Sequence, residues 1–139
     1  KAVIAKSGPD AMTHADLIVT SIPYSPNMRP FLSANDVRAG AFITMVDLGR
    51  SWFPETFDKF DCIIIDDKAQ EVNMKTPMLD LELVNGDLRA LVNGLITVVD
   101  CPDTRSAFAF RGLAIGDLAL ARLAFESACS AGLGCTLHR

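Results

Sequence analysis

Short, unbroken apolar runs separated by helix-forming spacers limit the folds open to this chain more than any other feature. Ala2-Val3-Ile4-Ala5, Leu17-Ile18-Val19-Thr20-Ser21, Phe42-Ile43-Thr44-Met45-Val46 and Cys62-Ile63-Ile64-Ile65 are continuous rather than alternating, and Asp66-Asp67 closes the last. Strands buried on both faces of a helix-covered parallel sheet read this way. Between the runs, Pro9 to Ala15 fits a short helix with proline near its start. Ser33 to Ala39 has an N-cap serine, Asp36 three residues later and Gly40 as its stop. Pro54 to Phe60 carries Glu55 in its first turn. The order β-α-β-α-β-α-β predicts an α/β fold with a parallel sheet.

After Asp66 the pattern becomes helical. Lys68 to Met74 and Leu79 to Val92 read as helices, the second interrupted near Gly86-Asp87, and Ile96 to Val99 reads as a short strand. Ser106 to Ala131 reads as one long helix ended by Gly132-Leu133-Gly134. Phe108, Leu113, Leu118, Leu120, Leu123 and Phe125 make it apolar nearly all round, so this chain or a partner should cover it on several sides.

Composition narrows the function classes. Apolar residues make up 50% of the chain and charged residues 22%, enough to bury a core. The net charge is −4, with no basic block, which argues against nucleic acid as a partner. No apolar run approaches the roughly 18 residues of a membrane span, and no secretory signal is visible. The four cysteines, Cys62, Cys101, Cys129 and Cys135, form no CxxC pair, and His14 and His138 are the two histidines, so a zinc site is not expected. Cys62 in a strand and Cys129 in a helix read as buried free thiols, which implies a reducing, cytoplasmic setting. The two histidines read as solvated, with no role.

A dinucleotide-binding sheet opens with a strand, a glycine-rich turn and a helix whose N-terminus takes the pyrophosphate. This chain has no GxGxxG, and its earliest glycine, Gly8, stands alone. Yet Ala15 to Ser21 reads like the fourth strand of such a sheet, whose C-terminal end the cofactor crosses. Two readings stay open: the second half of a Rossmann-like domain followed by a C-terminal helical segment, its first half upstream or supplied by another chain, or a small α/β domain with no nucleotide site.

Four segments, in order, resemble the ornithine cyclodeaminase/mu-crystallin family. Ala15-Asp16-Leu17-Ile18-Val19-Thr20-Ser21 is similar to the family's ADIVVTAT, and Gly40-Ala41-Phe42-Ile43-Thr44-Met45-Val46 to GAHINAV. Phe60 to Asp67 is similar to ADLVVVDS, and Phe108 to Ala119 to FKSVGLAVQDLA. The resemblance spans nearly the whole chain and implies an enzyme using NAD or NADP on a small amino or imino acid. It implies residues 1–100 as a partial NAD(P)-binding domain and 101–139 as a long C-terminal helix returning toward a substrate and dimerisation domain, in a homodimer. By the same comparison Thr20, Ser21, Ile43, Thr44, Met45, Val46 and Gly112 would lie along the cofactor. The family's GADxPGK is not kept: Gly49 stands at the place of its acid–base aspartate, Phe53 at that of its lysine, and Phe110 where a serine is usual.

Removing hydride from a carbon that bears an amine requires a group that takes the nitrogen's proton. Asp47, just past the end of a buried strand, is the nearest carboxylate. It either moves that proton, or caps a turn or the Pro54 helix, or pairs with Arg50. Arg50 and Arg111 are candidates for a substrate carboxylate, because a guanidinium binds one bidentately. Arg111 lies in an apolar run and otherwise calls for an ion pair, with Asp117 or Asp100. Thr20 and Ser21 either donate hydroxyls to a ribose or phosphate or are ordinary strand-end residues. Trp52 and Phe53 either wall a pocket or belong to the core. The leading function is an NAD(P)-dependent oxidoreductase or cyclodeaminase; the alternatives are a cofactor-binding protein without turnover, as in mu-crystallin, and a piece that only completes another chain. These 139 residues contain no glycine turn for a pyrophosphate, so the chain by itself is expected to bind NADH and NADPH weakly. Calorimetric titration reads this, and a tight stoichiometric complex would put the phosphate site elsewhere.

Overall fold

The computed structural model describes residues 1–97 and 101–137. Five parallel strands form one sheet: β1 (Leu17–Thr20), β2 (Phe42–Met45), β3 (Cys62–Ile65), β4 (Gly86–Asp87) and β5 (Ser106–Ala109), in the order β1-β2-β5-β3-β4. The α helices are α1 (Gly8–Met12), α2 (Lys68–Val72), α3 (Leu88–Val92) and α4 (Ala114–Ser130). Tight 3₁₀ turns at Ala34–Asp36, Pro54–Lys59 and Leu81–Leu83 complete the connections.

Local chemistry starts these elements where the sequence suggests. Ser7 accepts from the Asp10 amide at the head of α1, and Ser33 from the Asn35 amide. Asp67, two residues past β3, and Asp87, the last residue of β4, accept from the third amide ahead, Gln70 and Ala90, so the strand ends also start α2 and α3. The Ser33 and Pro54 segments close as 3₁₀ turns rather than α helices, and Leu79 to Val92 divides into a 3₁₀ turn, the short β4 and α3.

Two strand expectations are corrected. Ala2 to Ala5 forms no strand, and Val3 and Ile4 are exposed: none of the described strands pairs with this segment and none of the described residues covers it. Ser106 to Ala109 belongs to the sheet, not to the long helix, which begins at Ala114. β5 pairs with β2 on one side and β3 on the other, so Phe42 and Cys62 both stand opposite Ser106 and their strands are not neighbours. Ile96 and Thr97 are not in a strand, and Val98 and Val99 of that expected element lie outside the described residues, as do Asp100 and His138.

The core lies on one face of the sheet. Ile18, Ile43, Met45, Ile63, Ile65, Ala107 and Ala109 point to it and pack with Met12, Leu32, Val37, Trp52, Phe57 and Phe60. Trp52 is fully buried, with the Phe60 ring edge-on at 5.7 Å. Burial on both faces, expected from the continuous runs, holds for β3. α3 leans on that end of the second face, where Leu88 and Leu91 meet Ile64 and Phe108 around an apolar cleft. Leu17, Val19 and Phe42 on the same face remain exposed. α4 is likewise uncovered by the described residues: Ile115, Leu118, Leu120, Leu123 and Phe125 are all at least 62% exposed. Cys62 is buried as expected, and its thiol pKa is pushed up by that burial. Cys129, expected to be buried, is exposed because it rides on α4. No helix among the described residues is long and apolar enough to cross a membrane.

Gly40 shows how tightly the amino edge of β2 is built. Its φ is +78°, and a Cβ there would meet the Pro102 carbonyl oxygen at 2.1 Å. Gly40→Ala therefore meets both backbone strain and a steric clash, and is expected to destabilise the chain by more than about 1 kcal/mol. Urea unfolding measures this, and an unchanged midpoint would mean that the Pro102 segment yields freely.

Candidate functional site

The strands are parallel, so their carboxyl ends lie along one edge, where open α/β sheets bind ligands. Thr20 ends β1 on this edge, and Asp47, Asp66 and the Arg111-Gly112 corner follow the ends of β2, β3 and β5. Val46 to Ser51 forms a tight turn after β2, with Leu48 in the left-handed region at φ 63°. That conformation is costly for a residue with a branched side chain, so the surroundings must hold it.

Asp47 does the holding. Thr20 Oγ1 donates to Asp47 Oδ1 at 2.9 Å, and Ser51 Oγ donates to Asp47 Oδ2. Trp52 Nε1 donates to Thr20 Oγ1 at 3.3 Å, and the Arg50 amide closes the turn on the Asp47 carbonyl. The carboxylate is buried, 6% exposed, and faces the core side of the turn, not a cleft. Both carboxylate oxygens of Asp47 thus accept from hydroxyls, one of them within its own turn.

Arg111 is the centre of a second network. Its Nε donates to Glu71 Oε2 and its Nη2 to Glu71 Oε1, both at 2.7 Å, and Nη2 also donates to the Thr76 carbonyl at 3.1 Å. Glu71 is completely buried, and the Met78 amide donates to it as well. The hydrogen bond from Arg111 holds the Glu71 carboxyl below its usual range, outweighing the opposing effect of burial, and the same bond raises the Arg111 pKa. Asp66 Oδ2 accepts from the amides of Arg111 and Gly112 at 3.0 and 2.7 Å, which fixes the corner leaving β5. Gly112 sits there at φ 117°, a conformation side chains resist. The partner of Arg111 is thus Glu71. Asp117 is exposed on α4, and Asp100 is outside the described residues. Glu71 carries no signal in sequence, since Gln70-Glu71-Val72 reads as an ordinary solvated helix turn, whereas the acid pair Asp66-Asp67 after a buried strand does mark a polar edge.

Arg50 and Arg111 do come together. They line one cleft of about 450 Å³ with Leu48, Lys75 and Thr76, and Arg50 lies over the Tyr24 ring at 4.6 Å. A cavity of about 590 Å³ lies at the opposite edge, beside Asp61, Cys62, Cys101 and Asp103, away from every residue singled out for cofactor or substrate. We assign the site to the carboxyl edge on the ligand rule for parallel sheets. Among the residues expected along a cofactor, Ser21 and Val46 are exposed, and Thr44 and Gly112 half-buried. Ile43 and Met45 are fully buried core side chains, and the Thr20 hydroxyl is taken up by Asp47 and Trp52, so these three support the edge from beneath. Trp52 is likewise core. No group of His, Cys, Asp and Glu among the described residues could hold a metal ion.

The Arg111–Glu71 pair should be visible in acid. A carboxyl whose folded pKa is lowered stabilises fully above its unfolded pKa, about 4.3, and that contribution fades as pH falls through the folded value. Glu71→Gln is expected to cost about 3 kcal/mol near neutrality, since it leaves a partly buried guanidinium unpaired. The difference from the unsubstituted chain should shrink below about pH 4. Urea midpoints from pH 3 to 7 test this, and a constant difference would show that the charge of Glu71 contributes nothing.

No family model matches the sequence, and no curated protein matches it. Solved structures do. Δ1-pyrroline-2-carboxylate reductase of Thermococcus litoralis, in complex with NADH and L-proline, superposes with a TM-score of 0.75 at 24% identity over 96% of this chain and 44% of its own. An archaeal alanine dehydrogenase dimer with bound NAD gives 0.74 at 24% over 96% and 43%. A probable ornithine cyclodeaminase from Bordetella pertussis Tohama I gives 0.68 at 17% over 92% and 44%. The chain spans less than half the length of each. It has the fold of the part of these enzymes that it overlaps, an α/β parallel sheet followed by a C-terminal helix, in agreement with the resemblance to the ornithine cyclodeaminase/mu-crystallin family read in its sequence.

Proposed function

We propose that this chain is the NAD(P)-binding part of an oxidoreductase or cyclodeaminase that acts on a small amino or imino acid. The observation that carries this reading is the convergence of Arg50 and Arg111 on a carboxyl-edge cleft of a sheet whose structural neighbours were solved with NADH and NAD. The accessible edge fits the nicotinamide–ribose end of a dinucleotide: Ser21 offers a free-standing hydroxyl, and a Cβ added at Gly112 would meet nothing within 4 Å. It does not fit the pyrophosphate, for which these residues hold no glycine turn. When bound, the cofactor supplies or accepts hydride. Arg50 and the Nη1 side of Arg111 are the groups for the substrate carboxylate, and Ser21, Thr44, Val46 and Gly112 those along the cofactor. The apolar surface of α4 supports a role in reaching a substrate and dimerisation domain of a homodimer, and the free cysteines agree with a reducing, cytoplasmic setting.

Asp47 enters as a positioning residue. Two hydroxyl donors already occupy its carboxylate, so it fixes the turn that carries Arg50. The same observation, with Gly49 at the family's aspartate position, favours a second reading, an NAD(P)-binding protein without turnover, as in mu-crystallin.

Absorbance at 340 nm with a panel of amino and imino acids tests the first reading in the protein that carries this chain. Turnover with NADH or NADPH is expected, and Arg50→Gln should raise KM for the acid while cofactor affinity changes little. Cofactor binding with no turnover on any member of the panel would establish the second reading. Asp47→Asn should lower kcat by less than about 100-fold, the lower end of what general acid–base groups contribute, and a larger loss would restore Asp47 to proton transfer.

A further inference from the structure

The cleft that brings Arg50 and Arg111 together has a charge pattern that neither residue suggests alone. Arg50 comes from the turn after β2, Lys75 from the loop after α2 and Arg111 from the corner after β5, so three separate segments each deliver one cation to one space of about 450 Å³. No aspartate or glutamate among the described residues lines it, although the whole chain is acidic at −4. Three carboxylates on these elements are otherwise engaged: Asp47 with Thr20 and Ser51, Asp66 with the Arg111 and Gly112 amides, and Glu71 behind Arg111. Glu71 offsets one of the three positive charges, and its own side chain is 1% exposed, so it presents nothing to the cleft. Two positive charges remain. The Arg111 Nη1 has no partner among the described residues, while Nε and Nη2 are tied back to Glu71 and Thr76, which keeps the guanidinium fixed in direction. Arg50 is steadied over Tyr24, and Lys75 is exposed at the rim.

We propose, building on the function above, that this cleft selects an acid with two carboxylates, a dicarboxylic amino or imino acid, over one with a single carboxylate. The α-carboxylate meets Arg50 and the free side of Arg111, whose planar donors suit a carboxylate. The second carboxylate meets Lys75, a point charge on a flexible stem that tolerates side chains of different length. A monocarboxylic substrate leaves Lys75 without a partner and loses one of the two ionic contacts.

The test is direct binding, with no cofactor present. The protein that carries this chain is titrated calorimetrically with glutarate and with butyrate at low ionic strength, where surface charge is least screened. Glutarate is expected to bind at least about tenfold more tightly, since each further ionic contact in such a site is worth on that order. Lys75→Gln should abolish most of that difference and leave butyrate binding unchanged, while Arg50→Gln should weaken both acids. Both side chains are exposed, so the variants should keep the parent's urea midpoint, which guards against loss of fold. Equal affinity for the two acids, or a preference that survives Lys75→Gln, overturns the proposal. The two readings fail separately. A glutarate preference in a protein with no NAD(P)-linked turnover would discard the enzymatic function and keep the dianion site. Turnover of monocarboxylic acids with no glutarate preference would keep the enzyme and discard the selectivity.

Discussion

β1 pairs with β2, and β3 with β4, and among the described residues the strand that pairs with both ribbons is Ser106–Ala109. This last strand bonds to Phe42–Met45 on one side and Cys62–Ile65 on the other, more than forty residues away in each case. It is made of small residues on its core face, Ala107 and Ala109, which let the large side chains of β2 and β3 close over it. The site depends on the same insertion, because the Arg111-Gly112 corner is simply where β5 ends. Such non-local pairing must absorb loop-closure entropy before any contact repays it, so cooperative folding of the sheet waits on this strand.

The carboxyl edge shows how a buried polar rim is satisfied. Backbone amides and hydroxyls at strand ends need acceptors, and aspartates are short enough to provide them locally. Asp66 takes two amides from the neighbouring corner, Asp67 and Asp87 start helices, and Asp47 takes two hydroxyls. Anionic groups are therefore used up inside the edge, and the longer cationic side chains reach past them into solvent. The electrostatic sign of the cleft follows from side-chain length as much as from composition.

The second face of the sheet and α4 carry apolar surface that these residues do not cover, with Leu17, Val19 and Phe42 on one and five large side chains on the other. Isolated exposed apolar residues are unremarkable in soluble proteins, but contiguous ones mark surfaces that meet something else. The uninterrupted apolar character of the strands, which predicts cover on both faces, is thus a statement about the sheet's full surroundings, and the described residues satisfy it at β3 alone.

Much of the fold was legible in sequence because it is local. Three of the four apolar runs are strands of one parallel sheet, and Ser33, Asp67 and Gly86-Asp87 mark element boundaries through capping and backbone preferences acting within a few residues. The alternation of apolar runs and helical spacers likewise pointed to the α/β class, and guanidinium chemistry pointed to Arg50 and Arg111. What sequence could not convey is non-local. Ser106–Ala109 reads as helix because it runs into a true helix and its alanines are helix formers, and only two flanking strands make it a strand. Glu71 looks like a solvated helix residue until Arg111, forty residues on, meets it. Asp47 looks like a free carboxylate until Thr20 and Ser51 close on it. Periodicity and caps are set by neighbours along the chain, whereas strand order, ion-pair choice and the direction a buried carboxylate faces are set by neighbours in space.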